Sequence, residues 1–268
     1  MLPKHFSTSQ IARAIGVHPN TVRIYEVWGF IPPVKRSPAG YRLFTEAHMD
    51  HMRLARMMLK GPFPGKNIRR SALDLVRQAA TGDLGGALES AYRHLVLVQS
   101  ERAQAEAAAK LLERWAQGTA ADASSERLQI GEVAKRLGVS RDKLRNWERN
   151  GLISVPRHPE NRYRLYSSAE IGRLRVIRML SLAGYSMMAI LRMVLYLDSQ
   201  GGHGLREVLD TPRPDEDVYT AADRWLTALA EQETRAEKVI EFLEMMIAKQ
   251  ERENIRQPVQ SFDSLKDW

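Results

Sequence analysis

Residues 11–44 read IARAIGVHPNTVRIYEVWGFIPPVKRSPAGYRLF, and residues 133–166 read VAKRLGVSRDKLRNWERNGLISVPRHPENRYRLY. The second stretch is the first displaced by 122 positions without insertion or deletion, and the correspondence runs from 11–63 to 133–185. Identities fall at Ala12/Ala134, Gly16/Gly138, Val17/Val139, Arg23/Arg145, Glu26/Glu148, Gly29/Gly151, Ile31/Ile153, Tyr41/Tyr163, Arg42/Arg164 and Leu43/Leu165. A period of 122 is far longer than the ~20–50 residues of a solenoid repeat, so a whole domain is duplicated.

Small polar residues, glycine and proline divide each copy alike. Ser7-Thr8-Ser9 opens a short helix that stops at Gly16; Pro19 opens a second that runs to about Trp28 and stops at Gly29. Proline suits a first helical position because its missing N–H would be unsatisfied there anyway. In the second copy the helices run from Gly131 to Leu137, stopped by Gly138, and from the N-cap Ser140 through Asn150, stopped by Gly151. Two short helices about a tight turn make a helix-turn-helix. Pro32–Phe44 and Val155–Tyr166 follow, punctuated by proline, and each predicts a small hairpin, or wing. Thr45 and Ser167-Ser168 then cap a longer helix in each copy.

Further along, Leu95, Val98, Ala105, Ala109, Leu112 and Ala116 lie three and four apart, with Arg102 in the remaining slot. Leu226, Leu229, Ala236, Ile240, Leu243 and Ile247 repeat the pattern, with Glu233 in that slot. This is a coiled-coil seam. The displacement has grown to 131, which puts nine extra residues in the loop Asp198–Asp217. The expected fold is mainly all-α. A first winged helix-turn-helix domain spans 1–75, and a helical segment with the first coiled-coil helix spans 76–117. A small polar linker at 118–127 leads to a second winged domain over 128–197. A loop and the second coiled-coil helix occupy 198–253, and a tail 254–268. The two long helices are expected to pair antiparallel within the chain, as a pseudo-dimer.

Charge follows the repeat. Residues 1–74 carry +8 and residues 128–192 carry +8, so the remainder carries −8 against a total of +8. Positive charge concentrated in the two copies is the footprint of a surface that meets a phosphate backbone. There is no cysteine, hence no disulfide and no thiolate metal site. No stretch is apolar enough to span a bilayer and the N-terminus has no apolar run, so a cytoplasmic protein without membrane partners is expected. Neither paired carboxylates in a repeated context, nor a nucleophile motif, a phosphate loop or a metal constellation is present, so neither enzymatic activity nor a cofactor is expected. His48 and His51 lie three apart, but the second copy has no matching ligands.

A helix-turn-helix lays its second helix in the major groove, with N-terminal residues at base edges. His18, Asn20, Thr21 and Ile24 then face bases in copy one, and Arg141, Asp142, Lys143 and Asn146 in copy two. Arginine and lysine suit guanine, asparagine suits adenine, and an apolar side chain suits the thymine methyl. Arg23, Tyr25, Lys35, Arg36, Tyr41 and Arg42 are placed at phosphates, with Arg145, Trp147, Arg157, His158, Arg162, Tyr163 and Arg164 as counterparts. Tyr25, Trp147, Tyr41 and Tyr163 have a second reading as core aromatics.

Each copy resembles the winged helix-turn-helix domain of the MerR family of bacterial transcription regulators. The likeness lies in IA-x-x-IGV-x-x-x-T-x-R-x-YE-x-x-G-x-I followed by GYRLF, and in VA-x-x-LGV-x-x-x-x-LR-x-WE-x-x-GLI followed by RYRLY. It extends through the long helix after each domain. The resemblance implies binding to spaced half-sites in double-stranded promoter DNA, action on RNA polymerase there, and pairing through an antiparallel coiled coil. The chain departs from the family pattern where an aromatic residue is usual, having Ile24 and Asn146. It also lacks an extended C-terminal effector domain and the cysteine metal-binding loop. The reading is a transcriptional regulator whose domains recognise two different half-sites. The alternatives are a homodimer bridging two sites, or a coil-mediated interaction protein with DNA binding secondary.

Overall fold

The computed structural model describes residues 5–61, 63–116, 127–200, 203–212 and 224–256. Among these the protein is mainly α-helical. The first copy runs α1 (Thr8–Ile15), α2 (Pro19–Val27), β1 (Lys35–Arg36), β2 (Arg42–Leu43), α3 (Glu46–Leu59), α4 (Lys66–Ala80) and the long α5 (Leu84–Ala116). The second runs α6 (Ile130–Leu137), α7 (Arg141–Arg149), α8 (Ser168–Leu182), α9 (Met187–Gln200), α10 (Leu205–Asp210) and the long α11 (Trp225–Arg256). Displacing α1 and α2 by 122 reproduces the bounds of α6 and α7, and α3 and α4 reproduce α8 and α9 to within two residues. The duplication therefore reaches through α4 and α9, past the end of the sequence correspondence.

The local chemistry is the one the sequence predicts. Ser7 Oγ accepts from the Gln10 N–H while Gln10 Oε1 accepts from the Ser7 N–H, a reciprocal cap. Gly16 and Gly138 end their helices at φ 71° and 60°, where a Cβ would be strained. The first long helix begins well ahead of its seam at Leu95. The Gly86 N–H bonds to Asp83 Oδ1, so α5 starts ahead of Gly85-Gly86 rather than after these poor helix formers.

The chain forms two compact units, each drawing on both copies. Among its described residues the first holds the winged domain of copy one, α4, residues 84–98 of α5 and residues 232–256 of α11. There α1 packs on α2 and α3, and α3 on α4, around Ile11, Val22, Phe44, Met52, Leu54 and Met58. Leu84, Ala87, Ala91, His94 and Val98 of α5 are buried at spacings of three and four, as are Gln232, Ala236, Val239, Leu243 and Met246 of α11. The seam runs one residue away from the expected one in places. His94 is buried where Leu95 is half-buried, Met246 where Ile247 is half-buried, and Gln232 rather than Glu233 takes the polar slot. The Tyr92 hydroxyl of α5 donates to Glu244 of α11 at 3.1 Å.

The second unit holds residues 99–116 of α5, α6–α10 and residues 225–231 of α11. There α6 packs on α7, α8 on α9, and α9 on α10, around Leu144, Trp147, Leu152, Tyr166, Leu174 and Leu180. Ala105, Ala109 and Leu112 of α5 are buried in this unit, and the Tyr185 hydroxyl donates to the Ala105 carbonyl at 3.1 Å. Burial raises the Tyr185 pKa, so the phenol stays a donor. Part of the expected nine-residue insertion folds as α10. Buried Arg192 of α9 donates to the carbonyls of Val208 and Leu209 at 2.6 and 3.0 Å, satisfying the end of that short helix. Asp210 then accepts from the backbone N–H groups of Leu226 and Thr227, capping α11. The linker at 118–127, most of the loop after α10 and the tail beyond 256 fall largely or wholly outside the described residues.

Candidate nucleic-acid interface

The second helix of each helix-turn-helix, α2 or α7, is held by a matched anchor. The guanidinium of Arg42 in the wing donates to Glu26 of α2 at 2.5 Å, and Arg164 donates to Glu148 of α7 at 2.6 Å. Both pairs are about one-fifth exposed and both partners lie 16 residues apart, so the same strut ties helix to wing in each copy. Arg157 adds a second, longer bridge to Glu148 at 3.7 Å. Arg42 and Arg164, expected at phosphates, are thus engaged within their domains.

Tyr25 and Trp147, also expected at phosphates, are core residues at 8% and 2% exposure. Tyr25 meets Phe30 edge-on, with ring centroids 5.4 Å apart, and Arg77 of α4 lies 5.7 Å over the Phe30 ring. The Lys143 ammonium sits 5.4 Å from the Trp147 ring. Their place on α2 and α7 explains the burial: each stands three residues after buried Val22 or Leu144, on the stripe that faces the domain core. By contrast Tyr41 and Tyr163 are 76% and 63% exposed and stand on the wings.

At the start of α2, His18 is the N-cap: its Nδ1 accepts from the Asn20 N–H at 3.2 Å, leaving Nε2 for an external partner. Asn20 is exposed, and Thr21 and Ile24 are half-buried. On α7, Arg141, Asp142 and Lys143 are exposed, and Ser140 Oγ caps the Lys143 N–H. Asp142 pairs with Arg145 at 2.9 Å. Asn146 Oδ1 accepts from Asn150 at 2.6 Å. The Arg141 guanidinium lies against α6, 2.9 Å from where a Cβ on Gly131 would stand, so that glycine makes its present position possible. Arg23, Lys35, Arg36, Arg145, Arg157 and Arg162 are exposed, and His158 is half-buried.

The wings differ, for a traceable reason. In copy one, β1 and β2 pair antiparallel with Lys35 opposite Leu43 and Arg36 opposite Arg42, and the Ser37 N–H closes the tip on the Tyr41 carbonyl at 2.8 Å. Pro159 replaces Ser37 in copy two and has no N–H to give. The His158 N–H closes that tip instead, on the Tyr163 carbonyl at 2.8 Å. The turn is one residue longer, and only an isolated bridge, Arg157 to Arg164, remains of the expected hairpin. The left-handed position at the tip is Gly40 in copy one, φ 82°, and Arg162 in copy two, φ 61°. This sign was readable at positions 159 and 162, yet the gap-free repeat hid it.

His48 and His51 are taken up inside the fold. His48 Nδ1 accepts from the Thr45 N–H at 3.1 Å, and the two ring nitrogens of His51 face the carbonyls of Ala47 and Ala79 at 2.8 and 2.9 Å. Among the described residues no three metal-ligating side chains converge, and no helix is long and apolar enough to cross a membrane.

The family model described as MerR HTH family regulatory protein matches residues 6–74 and again 128–197. The mercuric resistance operon regulatory protein of Bacillus cereus is 33% identical over 72 residues, 27% of this chain and 54% of that protein. The HTH-type transcriptional regulator CueR of Salmonella typhimurium is 26% identical over 111 residues, 39% of this chain and 80% of that protein. A mercuric resistance operon regulatory protein of Serratia marcescens is 34% identical over 62 residues, 23% of this chain and 43% of that protein. The chain spans about half the length of most of these relatives. No solved structure matches. With the family model matched over both repeats, the chain belongs to the MerR HTH family of regulatory proteins and carries the family's domain twice.

Proposed function

We propose that this chain is a sequence-specific regulator of transcription that binds double-stranded promoter DNA and reads two different half-sites as a single-chain pseudo-dimer. One observation carries the reading: α2 and α7 stand on matched scaffolds, tied by the same Glu–Arg strut, yet present unlike residues at their N-termini. His18, Asn20, Thr21 and Ile24 would read one half-site; Arg141, Asp142, Lys143 and Asn146 would read the other. Exposed Arg23, Lys35, Arg36 and Tyr41, with Arg145, Arg157, His158, Arg162 and Tyr163, would hold phosphates and fix the register. Tyr25 and Trp147 are left to the core, and Arg42 and Arg164 to the struts.

The apportioning of the long helices supports intrachain pairing. The first half of α5 shares a unit with the last part of α11, and the second half of α5 with the start of α11, as antiparallel pairing requires. A symmetric homodimer reads a palindrome, whereas two unlike domains in one chain need not. RNA polymerase at the same promoter is the expected partner.

Selection from a random DNA pool, followed by light scattering of the bound complex, tests this. One chain per minimal non-palindromic operator is expected. Two chains on a palindrome would overturn the single-chain reading, and failure to enrich any sequence would overturn the regulator reading itself.

A further inference from the structure

In the first unit, α3 is gripped by the far end of α11. The Lys249 ammonium donates to Asp50 at 2.8 Å and lies 3.5 Å from Glu46. The Asp50 side chain is 9% exposed and is also paired with Arg53 at 3.1 Å. In the second unit, α8 is met by the far end of α5. There Trp115 lies over Gly172, its Nε1 3.2 Å from where a Cβ would stand. The repeat makes these equivalent places. Asp50 displaced by 122 is Gly172, and Trp115 displaced by 131 is Met246, one turn before Lys249. Each winged domain is therefore held by the long helix that follows the other one. The two grips are chemically unlike: a partly buried ion pair in one, an indole on a glycine in the other.

We infer that these grips are partner-selecting latches, which let α5 pair with α11 and forbid α5 or α11 from pairing with a second copy of itself. If α5 met another α5, Trp115 would stand where Met246 and Lys249 stand, and Asp50 would lose its ammonium while remaining buried, with Arg53 of its own helix still beside it. An ionised carboxylate stripped of such a partner is strongly penalised. If α11 met another α11, Lys249 would face Gly172 with no carboxylate to receive it. Conversely, an aspartate at 172 has no room unless the indole moves. In the wrong pairs, domain one would lose a cation and set an indole over an aspartate instead of a glycine, and domain two would face an ammonium at a glycine. Specificity of this kind comes from mismatches in the wrong pair as much as from contacts in the right one. The inference rests on the intrachain pairing proposed above and adds what enforces it.

The test uses the full chain and hydrogen exchange of residues 244–253, with α7 as the folding control. Lys249→Glu should speed exchange in that segment about tenfold, as loss of a partly buried ion pair predicts, while α7 is unchanged. Adding Asp50→Lys should restore protection. The decisive variant gives α11 the end of α5: Met246→Trp with Lys249→Gly should release the segment just as Lys249→Glu does, and adding Asp50→Gly should hold it again. Protection retained in Met246→Trp/Lys249→Gly without Asp50→Gly would overturn the inference, as would failure of Asp50→Lys to rescue Lys249→Glu. Light scattering on wild type reports the intrachain pairing independently: a monomeric mass with indifferent latches sinks the latches alone, whereas a dimeric mass sinks the pairing beneath them.

Discussion

Arg162 shows how much one position can carry. It is the only non-glycine residue at positive φ among the described residues, and it sits at an exposed wing tip where the first copy has Gly40. An arginine there costs roughly 1 kcal/mol in backbone strain, less what glycine would lose in entropy. An outlier retained at a solvent-facing tip points to a use for the guanidinium. Arg162→Gly should therefore stabilise the second winged domain by up to about 1 kcal/mol while weakening DNA binding and flattening its salt dependence. Denaturant unfolding and fluorescence anisotropy at several salt concentrations check both halves. A stabilised variant with unaltered affinity and salt slope would leave the strain without a DNA role. Other residues were less legible. The aromatic at Tyr25 and Trp147 has two readings from sequence, and burial decides between them only because Val22 and Leu144 fix which stripe of each helix turns inward. The exposed Tyr41 and Tyr163 belong to the same residue type and have the opposite fate, since wing residues point away from the core.

Among the elements, the short helices of the two helix-turn-helix units were legible to within about one residue, because caps and left-handed glycines are local chemistry. The long helices were legible in kind but not in phase. A seam of alanines tolerates a neighbouring residue at each buried step, so spacing alone could not separate Leu95 from His94 or Glu233 from Gln232. α10 was missed, being held by Arg192 from another helix rather than by any signal of its own. The buried His94 gives α5 a pH dependence. Burial lowers its pKa from 6.5 to about 4, and its Nδ1 bonds with the Ser71 hydroxyl at 3.1 Å. The folded state resists the proton that the unfolded state accepts, so this contribution is complete above pH 6.5 and is lost as pH falls from 6.5 towards 4. At 1.36 kcal/mol per unit, the loss is about 2 kcal/mol by pH 5. His94→Gln keeps a polar partner for Ser71 but cannot titrate. Urea unfolding at pH 7 and pH 5 should show the wild type losing about 2 kcal/mol more than this variant. Equal losses would mean that His94 is hydrated in the folded protein.

For the whole molecule, charge is the property the duplication preserved most plainly: +8 on each winged region, offset by −8 elsewhere. The structure adds where that charge is exposed. Arg42 and Arg164 are tied to glutamates and half-buried, whereas Arg23, Lys35, Arg36, Arg145, Arg157 and Arg162 are exposed, three in each copy, Arg145 and Arg157 also pairing with Asp142 and Glu148. Each phosphate neutralised by such a side chain contributes about 0.9 to the negative slope of log affinity against log salt. If both domains engage one operator, the slope on a full operator should be about twice that on a duplex carrying a single half-site, near 5 against near 3 for these side chains alone. Titrations from about 50 to 200 mM salt resolve that difference. Scrambling the bases of one half-site at constant length should cost affinity while changing the slope little, because phosphates carry the salt term and base edges carry the specificity. Equal slopes on the full and half duplexes would mean that only one domain touches DNA. The second domain would then have kept its basic surface for a different anionic partner, and the asymmetry between α2 and α7 would separate two tasks instead of two half-sites.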